Sequence, residues 1–267
     1  MKVKKVFPFS LWLLVLCFFL AACGGDGGGS SSGGGNGGGG SSPAVSNDSP
    51  GKIPGLGNTS GNLQGAAFTL PSGVALVGNI IVTGTGSSTS QSSTKEEQLL
   101  AASPKGIYVI GGNFAAEIGS GWLPFKVTLR NTTTAAIKVT FPARLIIQSL
   151  DKKHQNGVLL KDTSITIPSQ TTYVIALITY CGNRDVYTMD DVAYGWGVVS
   201  NSATLTDLTD RLVHKQINAE DFAYAYDPNY YTRYEKLQDI LWNLTDNGVP
   251  LSDADKQWIA SIPNSNP

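Results

Sequence analysis

Thiolate sulfur is among the best nucleophiles a protein can offer, and this chain has three cysteines to supply it: Cys17, Cys23 and Cys181. The first two lie in or beside an N-terminal apolar run that the mature protein is expected to lose or modify. No second cysteine then remains to join Cys181 in an internal disulfide. Three readings of it compete: an inert buried thiol, an intermolecular disulfide, or a sulfur engaged in other covalent chemistry. The remaining candidates carry less. His154 and His214 fall on an expected loop and an expected helix, and a metal site would need further ligands converging from elsewhere. A copper site would want a histidine soon after Cys181, and residues 181–189 contain none. Cys181 with either histidine lacks any local nucleophile-and-base signature. Asp185, Asp190 and Asp191 miss the EF-hand spacing and read as a solvated loop. Phe222, Tyr224, Tyr226, Tyr230, Tyr231 and Tyr234 could stack on sugar rings, but at helical spacing such a run more often packs in a core.

The N-terminus sets where this chemistry would take place. Lys2, Lys4 and Lys5 precede an apolar run over residues 6–20, the length of a secretory segment rather than of a membrane span. Residues 1–22 are therefore expected to be a signal peptide. Leu20-Ala21-Ala22-Cys23 resembles the cleavage box of bacterial lipoproteins. That resemblance implies lipidation of Cys23 and durable attachment to a bilayer, since each buried methylene contributes about 0.8 kcal/mol. Gly24 in place of Asp after the lipidated residue implies, by the sorting rule of enteric bacteria, the outer membrane. The localisation expected is the cell envelope, not the cytoplasm. Residues 24–40 carry twelve glycines, and no apolar periodicity appears before residue 65. Residues 23–64 are therefore read as the lipidated Cys and a disordered tether, whose reach is on the order of 35 Å. No strand or helix frames the glycines for phosphate binding, and no cofactor is implied.

The groups that could react must be positioned by the chain from residue 65 onward. Short apolar or alternating runs at 66–70, 74–82, 107–110, 125–130, 136–141, 144–150, 165–167 and 172–180 read as strands, with a Ser/Thr/Gly loop at 84–94. The runs flanking Asn131-Thr132-Thr133-Thr134 suggest a hairpin with one buried face. Residues 172–180 are apolar on both faces and predict a central strand, with Cys181 at its end. After residue 200 the spacing turns helical: Leu205, Leu208, Leu212 and Val213 form a stripe, with Thr204 and Asp207 placed as a capping box. Asp227-Pro228 opens a second helix that stops at Asp246-Asn247-Gly248, and Ser252 opens a third that ends before Pro263. The fold class expected is α+β: an antiparallel β-sandwich-like domain followed by a small C-terminal set of three helices. It is one folded domain over 65–263, with a β section at 65–200 and a helical section at 201–263. On the second helix Gln238 lies at the edge of the stripe formed by Tyr234, Leu237, Leu241 and Thr245. A half-buried amide there costs roughly 1 to 3 kcal/mol unless something satisfies it.

Tyr180-Cys181 at a strand end, followed by helical Leu237-Gln238-Asp239-Ile240-Leu241-Trp242, resembles the paired motifs of the thioester domains of bacterial surface adhesins. The resemblance implies an internal thioester with Cys181 as sulfur donor and Gln238 as acyl donor, while Trp242 packs nearby. Its partner would be a surface protein or glycan that carries an amine or a hydroxyl. The chemistry demands that sulfur and amide carbon be held at about 3 to 3.5 Å in a site closed to water. The outcome is one covalent capture rather than turnover, so the chain is not expected to be an enzyme.

Charge narrows the classes further. The whole chain has 19 basic and 20 acidic residues, and loss of the three N-terminal lysines leaves the remainder mildly acidic. That balance excludes a basic nucleic-acid binder. Two classes stay open: a tethered covalent-capture module, or a noncovalent envelope structural or ligand-binding lipoprotein in which Cys181 fills space.

Overall fold

The structure is a computed structural model and describes residues 46–82, 107–110, 122–186, 192–222 and 228–265. The expected signal peptide, Cys23, the glycine-rich stretch, the 84–94 loop, Asp190, Asp191, Tyr224 and Tyr226 lie outside the described residues. So do the side chains of Tyr230 and Tyr231. No helix of the described residues is long and apolar enough to cross a membrane. The strands and helices all belong to one compact unit, Ser41–Pro267.

The expected α+β class holds: mostly antiparallel strands form a curled sheet, and helices follow at the C-terminal end. The strands are β1 (Gly65–Ala67), β2 (Val74–Leu76), β3 (Ile81–Val82), β4 (Ile107–Ile110), β5 (Trp122–Asn131) and β6 (Ile137–Phe141). They continue with β7 (Leu145–Ser149), β8 (Gly157–Val158), β9 (Thr163–Ile167), β10 (Thr172–Cys181) and β11 (Tyr194–Ser200). Helices α1 (Ala203–Leu212), α2 (Pro228–Thr245) and α3 (Asp253–Ser261) follow, with a short 3-10 turn at Ala219–Asp221 between the first two. Among the described residues nine strands join one sheet along the path β1-β11-β7-β8-β10-β5-β2, with β3 on β5 and β4 parallel to β10.

Strand β10 is central, as its two-sided apolar pattern predicts: Tyr173 to Cys181 are all buried. One edge pairs with β5 from Thr172↔Arg130 to Tyr180↔Trp122. The other is shared between β4 at Val174–Leu177 and β8 at Tyr180–Cys181. Period-2 alternation then sends side chains to two cores. Ile178 and Tyr180 join a helix-side core with Leu205, Leu208, Leu237 and Leu241. Ile175, Leu177 and Cys181 face the opposite core, with Phe125, Val127, Phe141 and Tyr194.

The hairpin expected between the runs at 125–130 and 136–141 does not form. Both edges of β5 are already taken, one by β10 and the other by β2 and β3, so β6 pairs with β9 in a separate two-stranded sheet. Asn131 turns the chain there: its fully buried amide donates to the carbonyls of Ala135, Ile167 and Pro168. The β6–β9 pair lays Val139, Phe141 and Ile167 over the core that holds Cys181, which gives the sandwich-like layering.

Helix α1 is capped earlier than the expected Thr204–Asp207 box. Ser202 is the N-cap, its hydroxyl accepting from the Leu205 N–H. Asp48 joins it from far up the chain, accepting from the Ala203 N–H at 2.8 Å. Val213, expected on the buried stripe, is exposed just past the helix end. Helix α3 has the expected Ser252 start, with a capping box completed by Asp255.

The disorder expected for residues 24–64 does not extend over 46–64. That stretch packs as a strap across the ends of β10 and α2. Ile53 and Leu56 are buried in the helix-side core, and the Gly51 N–H donates to the Leu244 carbonyl at 2.7 Å. Gly57 has φ +58, and a Cβ there would lie 1.9 Å from the Thr245 oxygen, so only glycine permits this approach.

Candidate functional site

The end of β10 is where the sequence places its candidate sulfur, and the register explains what meets it there. Tyr180 pairs with Val158, and the Gly182 N–H donates to the Asn156 carbonyl at 2.8 Å, so residues 180 and 182 address β8. The N–H and C=O of the intervening Cys181 therefore point to the other edge, one position beyond the last β5 pair, Tyr180↔Trp122. Gln238 bonds to both of these groups. Its Oε1 accepts from the Cys181 N–H at 2.8 Å and its Nε2 donates to the Cys181 carbonyl at 3.0 Å.

Helix α2 is held in place to do this by its neighbouring turns. Tyr234, one turn before Gln238, stacks on Tyr180 with ring centroids 4.4 Å apart and donates its hydroxyl to the Thr179 carbonyl at 2.8 Å. Leu237 and Leu241 on either side are fully buried in the helix-side core. Trp242, one turn later, reaches across to pack against the core that holds Cys181, and the Arg184 guanidinium lies 5.7 Å from its ring centre. The tyrosine at 234 is thus a packing and positioning residue rather than an exposed platform for sugars.

Water is excluded from the pair: Cys181 is 1% exposed and Gln238 3%. Burial pushes the Cys181 thiol far above its ordinary value, so it stays protonated at neutral pH. The strap closes the site from outside. The Gly57 N–H donates to the Gly182 carbonyl at 2.8 Å, Asn183 Nδ2 donates to the Gly57 carbonyl at 2.9 Å, and Leu56 packs near Gly182.

This arrangement has a chemical reading. The amide oxygen of Gln238, which takes up negative charge when the amide carbon is attacked, already accepts a main-chain N–H. That N–H belongs to the residue whose sulfur would attack. What meets here is the Gln238 carboxamide and the Cys181 main chain, while the Cys181 side chain faces the opposite core; Cys23 lies outside the described residues.

The weaker candidates are dispersed. His154 lines a polar pocket with Asn58, Lys152, Asn156 and Asn183, and its Nδ1 contacts Asp151 at 2.8 Å. Bonds from Ser149, the Lys153 N–H and His154 hold that carboxyl well below the usual range. His214 is exposed at the far end of α1. Asp185 accepts from Asn58 Nδ2 at 3.1 Å, and among the described residues no group of His, Cys, Asp and Glu is placed to hold a metal.

Sequence reasoning does not single out Tyr194, Gly157 or the strap. Gly157 lies directly across from Cys181, and the space a side chain would occupy there is filled by Phe125 and the Thr179 hydroxyl. Tyr194 packs edge-on against Phe125 at 4.8 Å in the same core as the thiol. Its strand, Tyr194–Ser200, is hidden in the sequence because Gly195 and Gly197 interrupt the alternation. At Gly197 a Cβ would meet the Ile146 carbonyl oxygen at 2.7 Å, so that glycine is required by close strand approach. No family model, curated protein or solved structure matches the chain.

Proposed function

We propose that the chain is a lipid-anchored cell-envelope protein, acylated at Cys23 and carried by the outer membrane. In this reading its folded part uses an internal Cys181–Gln238 thioester to capture a surface partner. The observation that carries the reading is the two-point bonding of the Gln238 carboxamide to the main chain of the residue that bears the mature protein's one remaining thiol. In forming the crosslink the sulfur bonds to the Gln238 carbonyl carbon, the C–N bond breaks, and the thiol proton leaves with the nitrogen as ammonia. An amine or hydroxyl of a surface protein or glycan then takes the acyl group and returns Cys181 as a thiol. Each molecule reacts once.

The test is the mass of the purified soluble fragment. One ammonia below the sequence mass, raised by the mass of one methylamine to one CH2 above the sequence mass on treatment with that amine, and absent in Cys181→Ala, is the expected result. A sequence-true mass with a slowly alkylated thiol sinks the crosslink.

The second reading is a noncovalent structural or ligand-binding envelope lipoprotein with an inert Cys181. One observation favours it: the Gln238 amide already satisfies the main chain of β10 beyond its last β5 pair among the described residues, which is a sufficient reason for a buried glutamine.

A further inference from the structure

A cavity of about 310 Å³, the lower end of the range for small-ligand pockets, lies between the strap and the turn that joins β7 to β8. Val186 is the one apolar side chain among its described lining residues. The inner wall rests on two buried amides, Asn156 at 8% exposure and Asn183 at 7%. Asn156 Oδ1 accepts from the Ser149 N–H at 3.1 Å, and its Nδ2 donates to the Gly55 carbonyl at 3.2 Å. Asn183 Oδ1 accepts from the Asn156 N–H at 3.1 Å. With the Asn183 bond to Gly57, these contacts tie strap, turn and strand end into one fixed cup.

The rim carries two ammonium groups and, among the described lining residues, no carboxylate. Lys152, Lys153 and His154 line it from the turn. The acids of the adjoining segments are committed: Asp151 accepts from the Ser149 hydroxyl, the Lys153 N–H and the His154 ring, and Asp185 accepts from Asn58. Lys152 takes the left-handed backbone, φ +58, and its Nζ stands 3.4 Å from Asn62 Oδ1 on the strap. The Lys153 Nζ and the Gln148 carboxamide have no partner among the described residues.

Two features select the ligand. An unpartnered ammonium beside a wall without carboxylates favours an anion. A bare oxyanion is too small to touch all the walls of such a cavity, and Gln148, Asn58 and Ser60 offer amide and hydroxyl groups that suit alcohols. We propose that this cavity binds an acidic saccharide unit, with its anionic group held by Lys153 and Lys152 and its hydroxyls by the neutral polar side chains beside them. The site is noncovalent and does not rest on the thioester. It gives a capture module or a binding lipoprotein alike a glycan to recognise.

The experiment titrates the full mature chain by calorimetry at low ionic strength. The acidic probes are glucuronate, galacturonate, N-acetylneuraminate and glucose 6-phosphate; glucose, galactose and inorganic phosphate are the comparisons. At least one acidic sugar is expected to bind on the order of tenfold more tightly than the neutral sugars and phosphate, and to lose about tenfold in Lys153→Ala. Lys153 is exposed, so this variant keeps its fold. Lys52→Ala removes an exposed charge outside the cavity and should leave the affinity unchanged. Which acid binds best distinguishes a carboxylate ligand from a phosphate one. Phosphate binding as tightly as the best sugar, equal affinity for neutral and acidic sugars, no binding of any probe, or equal losses in the two lysine variants overturns the assignment. The thioester is read by mass and this site by affinity, so either can fail without the other.

Discussion

The two cores on either side of β10 are built to different standards. The helix-side core is packed mainly by leucine and isoleucine from α1, α2, α3 and the strap, and the Tyr234 hydroxyl that enters it is bonded to the Thr179 carbonyl. The opposite core is richer in aromatic rings and holds Cys181. There the Tyr194 hydroxyl and the indole N–H groups of Trp196 and Trp242 are buried without partners among the described residues. A fold gains nothing in stability from unpaired donors, so these three groups are costly features of the aromatic core.

Three substitutions or conditions put that contrast under load. Leu237→Ala removes a fully buried side chain from the helix-side core and is expected to lower unfolding free energy by about 2 to 5 kcal/mol, read from urea denaturation. A loss comparable to that of an exposed leucine would erase the distinction between the cores. Gln238→Ala leaves the Cys181 N–H and C=O buried without their rung and is expected to cost about 2 kcal/mol. It also abolishes any mass deficit. Amide exchange at Cys181 should accelerate in this variant, and an unchanged exchange rate would show that the rung contributes nothing.

The smallest effect is the most discriminating. An unacylated Cys181 thiol has a folded value raised by burial, so the unfolded chain releases its proton first as pH rises. The stability it contributes is complete below the ordinary thiol value near 8.5 and is lost above it at about 1.4 kcal/mol per pH unit. Comparison with Cys181→Ala isolates this slope from the lysines and tyrosines. An acylated sulfur has no proton to release, and the two proteins should then follow the same alkaline curve.

Much of this architecture is legible because burial writes a period into the chain. The unbroken apolar run of β10 announces a central strand, and Ser252 with Asp255 announces α3. The bonding of the Gln238 side chain to the Cys181 main chain is not legible, because a side chain completing a strand ladder leaves no trace in spacing. The runs of β5 and β6 mislead, since local alternation cannot say which edges distant strands already occupy. The strap is hidden for a different reason. Ile53 and Leu56 are its only two residues buried in a core within a stretch dominated by Gly, Pro and Asn, the composition of a linker.

That strap also sets which contacts of the domain yield first under load. The polypeptide enters it at Ser46, whose N–H donates to the Asn201 carbonyl, and Asp48 clamps the start of α1 two residues later. Any pull on the chain ahead of Ser46 therefore falls first on this clasp and only afterwards on Gly57 and the end of β10. The contacts of Ser46 and Asp48 and the corner where Gly57 meets the end of β10 are parts of one continuous seam, which opens from its upstream end.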